Sequence, residues 1–304
     1  MFINIQLGGK SMSKYRLIFG LLIIAIITGF LFAGHLDKFF DIQKFKGEYK
    51  IISSETLQKT SGWISVEGVV YNLGTSAPAK KFVALSEVDS KLLTNDKIVG
   101  FLGVTISELS EYNGKNAPIM VAVNGIVYDL SASKSWAGGT HKNQHVAGQD
   151  LTYDILKLSP HGISKIKSFP SYGILVFTPD ELIKYDGKQQ KKIYVSVYGI
   201  IYDATQSRKF TGGEHYGHDM GVDLTSEILS LQGHVNLLRK LYPIGLYVFN
   251  EKTISKFNGK EGKPFVIVGD RVYDVSKNAQ GIKAGTVYDG QPRKEWLLVG
   301  FRLN

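Results

Sequence analysis

The chain has 304 residues, a formal charge of +9 and a pI of about 9.3, and it contains no cysteine. The missing thiols exclude disulfides, thiolate metal sites, iron–sulfur clusters and any haem attached through Cys-x-x-Cys-His. The basic balance suits anionic partners such as lipid head groups, cell-surface polymers or acidic proteins; no RNA- or DNA-binding signature accompanies it, so nucleic acid is not expected.

The chain opens on residues 1–16, which carry Lys10, Lys14 and Arg16. Leu17 to Gly34 then runs without a charge and is mostly apolar. As a helix it would span about 27 Å, close to the thickness of a bilayer core. Cations before it and His35, Asp37 and Lys38 after it predict a cytoplasmic N-terminus and an extracytoplasmic remainder. The segment reads as an uncleaved anchor at 17–34, with a cleaved signal peptide as the alternative. Residues 35–50 read as a linker.

From residue 51 onward the sequence repeats itself. Ile106-Ser-Glu-Leu-Ser-Glu-Tyr-Asn-Gly-Lys leads to Val123-Asn-Gly-Ile-Val-Tyr-Asp129. Phe177-Thr-Pro-Asp-Glu-Leu-Ile-Lys-Tyr-Asp-Gly-Lys leads to Val197-Tyr-Gly-Ile-Ile-Tyr-Asp203. Phe249-Asn-Glu-Lys-Thr-Ile-Ser-Lys-Phe-Asn-Gly-Lys leads to Val268-Gly-Asp-Arg-Val-Tyr-Asp274. A fainter copy, Ile52-Ser-Ser-Glu-Thr-Leu and Val66-Glu-Gly-Val-Val-Tyr-Asn72, comes first. In each, a Ser, Thr or Asn beside an acidic residue predicts a capped short helix. An apolar strand, a tight turn and a second strand ending in Tyr-Asp or Tyr-Asn predict a hairpin.

The middle copies continue into a Gly-Gly loop, an Asp-Leu-Thr segment and two helices stopping near Pro170 and Pro243, with Asp150 and Asp223 placed as N-caps. The expected fold class is α+β, with short helices on small sheets. The boundaries read as a truncated copy at 51–104, complete repeats at 105–175 and 176–247, and a truncated copy at 248–304. The terminal copies would complete sheets or cap the array.

Six of the seven histidines lie in the two complete repeats, three in each: His141, His145 and His161, then His215, His218 and His234. His145 to His161 and His218 to His234 are both 16 residues. The third histidine stands four residues before His145 in one copy and three before His218 in the other. Two imidazoles flanking a helix can approach one centre from two sides, and neutral imidazole is a good axial ligand for haem iron. Leu151, Ile155, Leu156, Leu158, Ile163 and Ile166 would wall the first site. Leu224, Ile228, Leu229, Leu231, Leu237 and Leu238 would wall the second.

On these residues the sequence resembles the cytochrome b5-like haem/steroid-binding domain family in its small bacterial form. The likeness rests on Phe177-Thr-x-x-Glu-Leu, the Val-x-Gly-x-Val-Tyr-Asp hairpin, the Gly-Gly-x-His loop, His145-Val-Ala-Gly-Gln-Asp-Leu-Thr and Pro160-His161-Gly162. The second copy keeps the pattern but reads Gln232-Gly233-His234-Val235. The resemblance implies a b5-like fold and noncovalent haem b, two per chain, with His161 and His234 as one axial ligand of each. The broader family places the other ligand in His-Pro-Gly-Gly; here those stretches read Trp136-Ala-Gly-Gly and Phe210-Thr-Gly-Gly. His145 and His218 are the first choice for that ligand because their spacing is the same in both copies. His141 and His215 stand in reserve, and Tyr216 is a more distant alternative.

The function expected is electron transfer by a membrane-anchored, extracytoplasmic di-haem cytochrome. Its partners would be a membrane or extracellular redox donor and acceptor, with an anionic cell-surface partner steered by the lysines and arginines. A haem- or steroid-like-ligand-binding module without a redox role is the alternative. Three histidines per repeat also match a zinc hydrolase set, but no glutamate base accompanies them, so an enzyme is not expected.

Overall fold

The computed structural model describes residues 36–230 and 235–304. The expected anchor at 17–34, His35, Leu231 and His234 lie outside the described residues. Among the described residues no helix is long and apolar enough to cross a membrane.

The α+β reading holds, and the four copies share one frame. A capped helix of one or two turns leads into a hairpin, and a long strand closes the unit. Ser53 accepts the Thr56 N–H at 3.1 Å, and Thr105 with Glu108 forms a reciprocal capping box. Glu181 accepts the Thr178 N–H at 2.9 Å, and Asn250 accepts the Thr253 N–H at 2.9 Å. These caps satisfy first-turn N–H groups that would otherwise be orphaned.

The long strands Ile98–Thr105, Ser171–Phe177, Tyr242–Phe249 and Leu297–Arg302, preceded by the short strand Lys50–Ser53, run parallel to one another. Their registers place Ile52 by Leu102, Val104 by Leu175, Val176 by Leu246 and Val248 by Phe301. The last returns to the first. Ile51 bridges to Leu303, the Ser53 N–H donates to the Asn304 carbonyl at 2.8 Å, and the Asn304 N–H donates to the Ile51 carbonyl at 2.8 Å. The parallel strands therefore close on themselves, and the hairpins flank them as antiparallel neighbours.

Each long strand carries a glycine opposite the same hairpin position: Gly100 faces Val70, Gly173 faces Val127, Gly245 faces Ile201 and Gly300 faces Val272. A Cβ at Gly173 would lie 2.7 Å from the Leu102 carbonyl oxygen, and one at Gly100 would lie 2.2 Å from that of Lys50. Only glycine lets the parallel neighbours approach this closely.

One buried cluster runs through all four units, from Ile52 and Leu102 through Leu175 and Phe177 to Phe249 and Val299. A second contains Leu36, Phe40, Ile42 and Phe45, which pack against Phe101 and Phe301. The stretch read as a linker thus contributes core side chains at its start. Strands buried on both faces explain the continuous apolar runs in the sequence.

Each complete repeat is joined to the next unit by the same polar contact. Asp150 and Asp223 are buried. Each accepts a hydroxyl hydrogen bond from its own Asp-Leu-Thr threonine, Thr152 at 2.6 Å and Thr225 at 2.7 Å. Those threonine oxygens accept the N–H groups of Asn124 and Tyr198, which fixes the hairpin turns. From the next unit, Lys192 donates to the Asp150 carbonyl at 3.1 Å and Lys263 donates to the Asp223 carbonyl at 3.0 Å. Burial pushes both aspartate carboxyls up to about 7, against the opposing pull of these ammonium groups. The aspartates do more than cap: each ties its hairpin, its insert and the following unit together.

Candidate functional site: the histidine hairpin of each repeat

The insert of the first repeat begins with a tight segment, Lys134–Gly139, kinked at Ala137 and Gly138. Gly139 has φ 76°, and a Cβ there would fall 1.8 Å from the Asn113 carbonyl oxygen. Gly213 meets the Asp186 carbonyl oxygen in the same way at 1.9 Å. The second glycine of each pair therefore seats the histidine loop against the turn that ends the unit's first helix. Beyond it, Thr140–His141 pairs with His145–Val146, with His141 directly across from His145. In the second repeat His215 lies across from His218.

The paired histidines differ in environment. His141 donates its Nδ1–H to the Ser135 carbonyl at 3.0 Å, and its ring stacks on Trp136 with centroids 5.1 Å apart. His215 donates its Nδ1–H to the Lys209 carbonyl at 2.8 Å and stacks on Phe210 at 4.5 Å. In both, the carbonyl belongs to the residue six positions earlier and the aromatic ring to the residue five positions earlier. A carbonyl accepts only, so each imidazole holds its proton on Nδ1 and directs a basic Nε2 elsewhere. Metal-ligating histidines are commonly oriented by this kind of bond.

His145 instead faces Asp154, 3.8 Å from its carboxylate, and His218 is exposed beside Asp219. His161 is exposed, at the start of the 3-10 helix Gly162–Ser168. Its N–H donates to the Ser159 hydroxyl at 3.2 Å, and its carbonyl accepts from the Ser164 hydroxyl at 3.0 Å.

His141 and His161 line one cleft of about 360 Å³, within the range of small-molecule sites, together with Trp136, Ile155, Ile166 and Phe169. His145 is not part of that lining. Of the expected apolar walls, Ile155, Ile163 and Ile166 pack into the core, whereas Leu156, Leu158 and Leu229 are exposed. The helices also differ from expectation. Asp154–Leu158 is a single π-type turn, and Pro243 lies within the strand Tyr242–Phe249, beyond the end of the helix Val235–Leu238.

In the second repeat Phe210, Met220, Leu224, Ile228 and Leu241 form the matching buried wall. His218 lines a larger cavity, about 510 Å³, where this repeat meets the C-terminal unit beside Lys263 and Phe265. Among the described residues that cavity holds no other histidine, and no group of three His, Asp or Glu residues is arranged to hold a metal ion.

The matched features that sequence spacing passed over are the backbone carbonyl, the aromatic stack and the count from Gly-Gly. His141 stands two residues after Gly139, and His215 stands two after Gly213. The one-residue difference between copies lies in the hairpin loop beyond them, where Lys142, Asn143 and Gln144 correspond to Tyr216 and Gly217 alone. Measured from the glycines, His141 and His215 are the invariant pair of this chain. Measured from Asp-Leu-Thr, His145 and His218 are.

These are two small α+β domains in tandem, each presenting a backbone-oriented histidine on an aromatic ring. The sequence model of the cytochrome b5-like heme/steroid binding domain matches residues 105–172 and 178–248. A solved cytochrome b5 domain protein of Hadesarchaea is 49% identical over 24% of this chain and 96% of its own, with a TM-score of 0.23. One from Methanococcoides burtonii is 38% identical over 24% of this chain and 95% of its own, with a TM-score of 0.23. A hypothetical protein from Arabidopsis thaliana, described as having a cytochrome b5 like fold, is 25% identical over 24% of this chain and 89% of its own, with a TM-score of 0.21. The chain belongs to the cytochrome b5-like heme/steroid binding domain family, through two tandem domains. Members are typically electron carriers or binding domains, not enzymes, and commonly bind haem.

Proposed function

We propose that the protein is a di-haem b-type cytochrome that transfers electrons, anchored in the membrane by residues 17–34 with its repeats on the extracytoplasmic side. One haem is held by His141 and His161 and the other by His215 and His234, in place of the His145 and His218 that spacing alone favours. The observation that carries this reading is the lining of one apolar cleft by His161 and by a histidine whose Nδ1 is already bonded to a backbone carbonyl.

The residues fit the group on chemical grounds. Trp136, Ile155, Ile166 and Phe169 offer an apolar wall to a flat macrocycle, and the His141 tautomer offers Nε2 to iron. Haem b, when bound, supplies a one-electron ferric–ferrous couple. His141 and His161 would hold the group through its iron, and their imidazoles would keep water and oxygen from it. The Trp136 stack and the Ser135 carbonyl would hold the His141 ring in one orientation across both oxidation states.

The membrane assignment rests on the uncharged run at 17–34 and its flanking charges. Donor and acceptor would be a membrane or extracellular redox pair. The test is the visible spectrum of the detergent-purified full chain, oxidised and dithionite-reduced, with iron counted per chain. Sharp reduced α and β bands at about two haems per chain are expected for bis-imidazole ligation. Bound haem that dithionite cannot cycle would favour a haem-binding module without a redox role. A colourless chain that takes up no haem would refute the proposal.

A further inference from the structure

We infer that Lys142 and Lys165 bind the two propionates of the first repeat's haem, and that the second repeat lacks this anchor. The inference rests on the proposal that the His141–His161 cleft holds haem.

Among the described residues lining that cleft, Lys142 and Lys165 are the only lysines, and no arginine, aspartate or glutamate joins them. Lys142 follows His141 directly, at φ 49° in the hairpin turn, and Lys165 stands four residues after His161. Both are exposed, and among the described residues neither has a carboxylate within ion-pairing distance. The insert offers them none: between residues 131 and 170 the only acids are Asp150, which is buried, and Asp154, which faces His145. The cleft thus joins an apolar wall to two uncommitted ammonium groups. Haem is an apolar ring with two carboxylates on one edge. Lysine serves such carboxylates as a mobile point charge.

Neither corresponding position carries a charge in the second repeat. Counting from the glycines, Tyr216 takes the place of Lys142, with the same left-handed φ of 50°. Counting from His234, Leu238 takes the place of Lys165, and it packs against the apolar wall of that repeat. The hairpin turn keeps its left-handed backbone while its charge is exchanged for an aromatic side chain, and by sequence count an aliphatic side chain replaces the second lysine.

The test uses the full chain in detergent, stripped of haem and titrated with haem b and with its dimethyl ester. Each repeat is read alone, the first in a His234→Ala background and the second in a His161→Ala background. At the first repeat, Lys142→Gln with Lys165→Gln should weaken haem b binding by about tenfold, leave the ester unchanged, and be rescued by arginine at both positions. The second repeat should prefer haem b over the ester far less than the first does. Unchanged haem b affinity in the double variant, or an equal loss for haem b and ester, overturns the inference while leaving the haem assignment intact. Failure of every form to take up either porphyrin refutes the haem assignment and the inference together.

Discussion

The histidine-bearing repeats and the units that flank them share a frame and part company between hairpin and closing strand. All four have the capped helix, the hairpin, the glycine in the long strand and a share of the common core. In the first unit the hairpin is followed by short 3-10 turns, Gly74–Ser76 through Asn95–Lys97, and in the last by a two-residue strand, Thr286–Val287. Neither holds a histidine. In the middle repeats the same interval holds the Gly-Gly loop, the histidine hairpin and the Asp-Leu-Thr insert. The scaffold therefore folds without a site, and the site is confined to one replaceable connection, as expected of function carried on loops over a rigid frame.

That contrast can be broken at its hinge. Gly139→Ala should unseat the first histidine loop, because its Cβ would meet the Asn113 carbonyl at 1.8 Å. A cost on the order of 4 kcal/mol is expected in denaturant titrations, with loss of haem from that repeat only. The neighbouring Gly138→Ala has open space around it and should cost only about 1–2 kcal/mol, from its left-handed backbone alone. Equal costs at the two positions would show that the loop does not depend on the close approach.

The inter-repeat lysines sharpen the comparison at smaller amplitude. Lys192 and Lys263 come after complete repeats, whereas Pro118 holds the corresponding position after the truncated first unit, where there is no Asp-Leu-Thr segment to meet. Lys192→Met should cost about 1–3 kcal/mol by denaturant titration, since it leaves the Asp150 carbonyl without its donor. A neutral result would mean that the contact only accompanies the packing.

The smallest effect is a pH dependence. Asp150 and Asp223 titrate near 7 when folded, against an ordinary value of 3.8, because burial disfavours the charged carboxylate. A carboxyl that binds its proton more tightly when folded favours folding at acid pH, and that contribution is lost as pH rises toward 7. Stability measured at pH 5 should therefore exceed that at pH 8. Asp150→Asn and Asp223→Asn should each remove roughly half of the difference, and an undiminished difference in the double variant would exclude these carboxyls as its source.

Much of the frame is legible in the sequence because it repeats. The capping residues, the Tyr-Asp hairpin ends and the Asn-Gly turns recur at fixed intervals, and local chemistry dictates each of them. Ring closure is not legible, since it rests on Leu303 and Asn304 returning to Ile51 and Ser53 across the whole chain. The packing of Phe40 and Phe45 onto Phe101 and Phe301 is equally non-local. At the site, histidine enrichment in the two middle repeats is plain from the sequence. What distinguishes the two histidines of each hairpin is not, because His141 and His145 are cross-strand neighbours and the contacts that set His141 apart are a carbonyl and a ring upstream. The close approach of Gly139 and Gly213 fixes the Gly-Gly pair in space, which supports the proposed choice of the histidines counted from it.

The most direct test is iron per chain and the reduced spectrum of His141→Ala beside His145→Ala, both purified as full chains with haem supplied. His141→Ala should lose one of two haems, or its low-spin spectrum, while His145→Ala keeps both. If His145→Ala loses the haem and His141→Ala retains it, the carbonyl-oriented histidine is not the ligand and the proposed geometry of the cleft is wrong.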